Sequence, residues 1–293
     1  MPSYMKRRRS AFTLAEVVIS MVILGVLGVA MTRMLINESR LFEVQQASRE
    51  ARAVGRSSMN VLFSDLRMVQ DGAGAPGTVL VAKADSLKVR VPYAFGVVCG
   101  NGVSALTVSM LPADSSIRMA ATYAGYAWRN RTNGVYTYVP VPTPADTPVT
   151  ATSPSTCTTV AMVKSDTIGV RSWPPLDLTP VSPSAQPGAP LYLYQEVAYW
   201  FGASTAYPGR RGLWRQATGG GAEELVAPFD STSRFKFYIR STDTPTLTAP
   251  VVLDSLVGVA IALNGASVSN IPGRQPVKTR METSVFFRNR RNP

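Results

Sequence analysis

A single carboxylate, Glu16, stands one residue before sixteen uncharged residues, Val17 to Thr32, and shortly after four consecutive cations, Lys6 to Arg9. An acid at the head of an apolar run costs about 3 kcal/mol in a bilayer on insertion scales, so it calls for a partner. Few other groups in the chain could do chemistry. Histidine is absent, which removes Ser-His-Asp and Cys-His nucleophiles and the commonest general base. The acids after Glu50 are scattered singly, apart from Glu223 and Glu224 in a hairpin-like stretch, and no paired-carboxylate or calcium-loop spacing appears. Cys99 and Cys157 lie 58 positions apart with no C-x-x-C, an arrangement that argues against metal binding. Outside the cytoplasm they could form a disulfide, worth roughly 4 kcal/mol for so long a loop; the alternative is two unpaired small apolar residues. The expectation is a protein that is not an enzyme and uses no cofactor or metal.

Net charge is +12 and the pI is near 10, which favours an anionic partner such as nucleic acid or phospholipid headgroups. Without the first eleven residues the chain keeps 26 cations against 18 acids, or +8, and the basicity becomes diffuse. Exposed arginines with aromatic neighbours give a second, DNA-binding reading. The candidates are Arg129, Arg131, Arg210, Arg211, Arg288, Arg290 and Arg291, with Tyr126, Trp128, Tyr207 and Trp214 to stack on bases.

These groups must be held by regular elements. As a helix, Val17 to Thr32 rises ~24 Å, and starting at Phe12 gives ~31 Å, about the thickness of a hydrocarbon core. The cations in front place the N-terminus in the cytoplasm and the remainder outside it. No proline occurs from Phe12 to Ala75, and past Arg33 the pattern is amphipathic. Leu41, Val44, Ala51, Met59, Leu62, Leu66 and Val69 share one face, so the spacing predicts a helix from about Thr13 to about Gln70, ~85 Å long. "DGAGAPG" ends it. That terminator reads G-x-G-x-x-G at Gly72, Gly74 and Gly77, but a helix precedes it and a strand follows, the reverse of the order a dinucleotide fingerprint requires.

Beyond it, "TVLVAK", "SLKVRV", "ALTVSML", "GVYTYVPV", "LYLYQEVAYWF", "GLWRQA", "RFKFYIR", "SLVGVAIAL" and "METSVFF" alternate with Gly, Pro, Asn and Asp, the pattern of an antiparallel sheet. Residues 140–190 hold eleven of the 22 prolines and read as an extended surface insertion. The fold class expected is α+β: a long N-terminal helix, first transmembrane and then amphipathic, packed on a C-terminal antiparallel sheet.

A secretory signal peptide, with Gly28 and Ala30 at cleavage spacing, or a plain signal anchor would account for the apolar run. Neither accounts for Glu16. The stretch "SAFTLAEVVISMVILGVLG" resembles the type IV prepilin signature, in which a membrane aspartic peptidase cuts a short basic leader before a Phe and the new amine is methylated. The resemblance implies a cut between Ala11 and Phe12, methylation of Phe12, and an assembly role for Glu16 opposite the N-terminal amine of a neighbouring subunit. Ala11 stands where the family usually has Gly. "LFEVQQASREARAVGRSSMNVLFSDLRMV", with its Leu62-Phe63-Ser64-Asp65-Leu66-Arg67 ending, resembles the stalk of PilW and GspJ-type minor pilins. "GLWRQATGGGAEELVAPFDSTSRFKFYI" and "METSVFFRNR" are similar to later strands of that class.

The resemblance implies a cleaved leader at 1–11, a transmembrane and polymerisation helix at 12–35, an amphipathic stalk at 36–71 and an exported β-rich domain at 72–293. Its implied partners are other pilins or pseudopilins in a hetero-oligomer, the prepilin peptidase and an inner-membrane assembly platform. The implied work is structural: priming or capping a type IV pilus or a type II secretion pseudopilus. The implied location is the bacterial inner membrane, crossed once, and then the pilus or pseudopilus.

Overall fold

Helix α1 runs without interruption from Leu14 to Leu66, 53 residues or about 80 Å. The computed structural model describes residues 13–70, 72–73, 77–141, 176–240, 242–267 and 276–287. The leader with Ala11 and Phe12, most of the 140–190 insertion, Cys157, and the tail Arg288, Arg290 and Arg291 lie outside the described residues.

The helix ends four residues earlier than its pattern predicts. Arg67 caps it by donating its N–H to the Phe63 carbonyl, and Met68 and Val69 tighten into a turn by donating to Asp65 and Leu66. The turn seats Val69 in the core and brings the Gln70 carbonyl to the Thr78 hydroxyl at 2.6 Å and the Tyr138 hydroxyl at 3.2 Å. Tertiary partners, not helix propensity, decide where the chain turns.

Among the described residues thirteen strands follow: β1 (Gly72–Ala73), β2 (Val79–Lys83), β3 (Ser86–Asn101), β4 (Leu106–Met110), β5 (Gly125–Arg129), β6 (Tyr136–Pro140), β7 (Leu176–Leu178), β8 (Pro190–Ala203), β9 (Arg211–Ala217), β10 (Glu223–Phe229), β11 (Arg234–Ile239), β12 (Leu256–Ala266) and β13 (Lys278–Phe286). A short helix, α2 (Pro112–Met119), lies between β4 and β5. Apart from β1, which runs parallel to β6, all pairings are antiparallel.

The long strands β3 and β8 form the spine, paired from Ser86 opposite Trp200 to Val97 opposite Pro190. Each is flanked differently along its length. The free edge of β3 takes β2 at its first half and β4 at its second, while β8 takes β5 and then β9. The sheet therefore has a half reached by α1 and a distal half away from it.

A bulge at Tyr93, where register slips between Pro92 and Ala94, marks the division. Before it Leu87, Val89 and Val91 join the core under α1; after it Ala94 and Val98 join a second core with Leu106, Val108, Tyr126, Trp128, Leu191 and Leu193. One extra residue shifts the period-2 alternation and so changes which side chains face inward. Helix α2 is tied to the bulge, since Asp114 Oδ1 accepts the Phe95 N–H at 2.9 Å.

The last part of the insertion differs from the surface segment its composition suggests. Leu176, Leu178, Ala185 and Ala189 are buried in the distal core, and β7 pairs with β4.

Candidate functional site: the exposed helix and its seat on the sheet

From Thr13 to Glu43 every residue of the helical segment is exposed, and the first buried side chain is Ala47. The 30 helical residues from Leu14 to Glu43 thus project about 45 Å beyond the sheet. Leu41, expected on the packed face, is 58% exposed, because the sheet does not extend that far along the helix. Val44 is only partly covered. Ala51, Met59, Leu62, Leu66 and Val69 are buried, as their spacing predicts. A water-exposed apolar helix of this length is unstable alone and needs lipid or protein around it. It is the one helix among the described residues long and apolar enough to cross a membrane.

Glu16 has a partner within its own chain. Its Oε2 accepts the Thr13 backbone N–H and the Thr13 hydroxyl, each at 3.0 Å, and its own N–H donates to Thr13 Oγ1 at 3.4 Å. This reciprocal pair is a capping box, which satisfies two of the free N–H groups at the helix start. Its signature, Thr-x-x-Glu, is present in "TLAE", so the acid has a local role in addition to the intersubunit one that the resemblance implies.

At its other end α1 is seated through small residues. A Cβ at Gly265 of β12 would come within 2.3 Å of the Ala51 carbonyl oxygen, and one at Gly55 within 2.6 Å of Met281 Sδ. Helix and strand backbones therefore touch directly. Past this contact Asp65 binds the sheet: Tyr199 of β8 donates its hydroxyl to Asp65 Oδ2, and Arg215 of β9 reaches the same oxygen through Nη2 at 3.3 Å and Nε at 3.4 Å. Glu223 holds the far side of Arg215 at 3.2 Å. Burial first, and then the Asp65 charge, push the Tyr199 phenol pKa well above its ordinary value, so it stays a donor.

A second anchor lies where the chain leaves α1. Arg90, 1% exposed, sits 5.0 Å from the ring centres of both Tyr138 and Tyr194, donates to the Gly77 carbonyl at 3.1 Å and lies 3.6 Å from Glu196. Tyr192 extends the network by donating to the Tyr138 hydroxyl at 2.9 Å.

Among the described residues, the arginines read as DNA contacts do not converge. Trp128 pairs with Leu191 and Arg211 with Ala203, so Arg129 and Arg211 sit at opposite ends of β8, about 40 Å apart at ~3.3 Å per residue. Arg131 lies in the exposed turn after Arg129. Arg210 precedes Arg211, whose guanidinium is taken up by the Phe201 and Ser231 carbonyls. Tyr126 and Trp128 are buried, their polar atoms bonded to Pro180 and Ser182, and offer no face to a base. The sequence places them beside exposed arginines; the strand's alternation turns them inward.

Cys99 is buried and is not a free thiol, while its expected partner Cys157 lies outside the described residues.

Residues 6–32 match the family model described as the prokaryotic N-terminal methylation motif, a prepilin-like leader. No curated protein and no solved structure matches the chain. A long apolar N-terminal helix on a large antiparallel sheet is consistent with a pilin-like fold. Motif and helix together support a membrane-anchored protein of type IV pilin-like or pseudopilin-like kind.

Proposed function

We propose that this chain is a structural minor pilin or pseudopilin of the PilW and GspJ type, priming or capping a type IV pilus or a type II secretion pseudopilus. The observation that carries the reading is the conjunction of the methylation motif at 6–32 with 30 helical residues that none of the described residues covers. Lipid covers that surface before assembly, and the helices of other subunits cover it afterwards. The prepilin peptidase removes residues 1–11, Phe12 becomes the methylated N-terminus, and the β-rich domain lies on the far side of the inner membrane. In the assembly Glu16 faces a neighbour's N-terminal amine, and its capping box holds the carboxylate at the helix start until then. The role is structural, with no reaction assigned to the chain.

Mass spectrometry of membrane-extracted protein tests the reading. It should show loss of Met1 to Ala11 and one added methyl on Phe12, and crosslinking should recover other short-leader pilins. A mature chain beginning near Met31 would instead mark the segment as a secretory signal peptide.

A further inference from the structure

On β8, Val197, Tyr199 and Phe201 point into the core under α1, so Ala198, Trp200 and Gly202 point to the opposite face. On that face the register sets four residues in one cross-strand row: Ser86, Trp200, Trp214 and Glu224. The two indoles are partly exposed and nearly parallel, with planes at 10° and centroids 6.2 Å apart. Both lean over Gly202, where an added Cβ would stand 3.2 Å from Nε1 of each ring. Trp214 Nε1 donates to the Ala203 carbonyl at 3.1 Å, which fixes its tilt.

The surroundings narrow what this pair could meet. The neighbours on the same face of β2, β3, β8 and β9 are Val81, Lys83, Lys88, Glu196, Ala198 and Gln216, so Val81, beside Lys88, is the one aliphatic side chain larger than alanine among them. A protein interface centred on tryptophan is ordinarily packed within an apolar ring. The row carries no net positive charge, since Lys83 of β2, opposite Ser86, is offset by the neighbouring Asp85. Asp85 is exposed in the β2–β3 turn and accepts the Ser86 hydroxyl at 3.2 Å, and Glu224 stands at the β10 end of the row. Lys88 is neutralised by Glu196 at 2.7 Å. A polyanion would find no net positive charge along the stack to hold it.

We infer that the Trp200–Trp214 row is a binding platform for a neutral saccharide chain. The electron-rich faces of the indoles take the polarised C–H face of a pyranose ring, while Asp85 and Gln216 accept or donate hydrogen bonds to its hydroxyls. The inference goes beyond the assembly role and does not depend on it, because the platform lies on the face of the sheet away from α1.

The test uses the full chain in lipid nanodiscs, since a maltoside detergent would itself compete. Chitohexaose, laminarihexaose and maltohexaose are titrated by calorimetry and by tryptophan fluorescence, with a single-stranded oligothymidylate as the polyanion. Saturable, salt-insensitive binding of at least one hexasaccharide is expected, weakened about tenfold or more by Trp200→Ala or Trp214→Ala. Trp200→Phe and Trp214→Phe keep an aromatic face, so they retain the parent's melting temperature and weaken binding by about threefold. If the alanine variants do not fold, the phenylalanine variants decide. The inference is overturned if no hexasaccharide binds, if binding is unchanged in the substituted chains, or if only the oligothymidylate binds and does so with steep salt dependence.

Discussion

The Tyr199 hydroxyl and the Asp65 carboxylate, 134 positions apart, share one hydrogen bond that ties the last turn of α1 to the middle of β8. Arg215 completes the tie from β9. Asp65 belongs to the "DLR" ending of the stalk and Arg215 to the "LWR" strand, two stretches that the sequence offers as separate resemblances. In the fold they are halves of one contact. Helix position and sheet position are thereby coupled at a point about 75 Å along the helix from Leu14.

Removing the carboxylate should loosen the seat of α1. Asp65→Ala leaves the Tyr199 hydroxyl and part of the Arg215 guanidinium unpaired, at a cost of about 1–3 kcal/mol. Arg215→Ala should cost less, because the Asp65–Tyr199 bond survives. The double variant should be less destabilised than the sum of the singles, by ~0.5 kcal/mol or more, as measured by denaturation of the nanodisc-held chain. Strict additivity would show that the contact carries no coupling.

The direct backbone contact gives a second expectation. Gly265→Ala forces its methyl against the Ala51 carbonyl, which can move only with the helix, and should destabilise by about 1–3 kcal/mol. Gly55→Ala meets the flexible end of Met281 and should cost less. Equal melting temperatures for the two variants would contradict the close approach.

Glu16 can be divided into its two roles by substitution. Glu16→Gln retains the capping box, since Gln serves at that helix position, and removes the charge; Glu16→Ala removes both. If pairing with a neighbour's amine drives assembly, both variants should be cleaved and both should lose crosslinks to partner subunits. If capping alone matters, Glu16→Gln should assemble like the parent.

Acid stability follows from two ion-paired carboxylates. Lys278 holds the pKa of Asp230 below the usual carboxylate range, and Lys236 followed by Arg280 does the same for Glu282. A folded-state pKa below the unfolded one adds stability that is fully present above about pH 4 and disappears as pH falls through the folded value. The melting temperature should be flat from neutral pH to about 5 and should fall below about 4. Asp230→Asn and Glu282→Gln should reduce that fall, and added salt should lower the effect, since both pairs lie near solvent.

Cys99 provides the last expectation. Non-reducing peptide mapping of the exported chain should recover it linked to Cys157, and reduction should release the link. Labelling of both thiols in the unreduced, unfolded chain would exclude the pair.

Periodicity made much of this architecture legible. The proline-free stretch ending at "DGAGAPG" announced α1, and nine β-branched or aromatic runs announced strands. What escaped was set by contacts remote in sequence. Val69 and Gln70 fit a helix locally and leave it because the core, Thr78 and Tyr138 receive them. "GYAWR" is too short for its alternation to show which side is wet, so Tyr126 and Trp128 read as exposed. The eight residues of α2 offered only Pro112 and Asp114 as start signals. "LDL" at β7 was hidden in a proline-rich segment whose composition describes its neighbours better than itself. At the candidate site the exposed helix and its acid were visible from the start, while the Asp65, Tyr199 and Arg215 contact could not be, because it joins three separate elements.

The bulge at Tyr93 has a consequence for how such a chain can diverge. It hands β3 from one core to the other, so the two halves share a backbone spine but bury largely separate sets of side chains. A methyl removed from Val108 or Leu193 opens a void among residues that do not pack against α1. The distal half is free to change its side chains without disturbing the packing of α1, while the inner face beneath the helix must keep the seat that holds it: one molecule, with novelty licensed at one end and conformity imposed at the other.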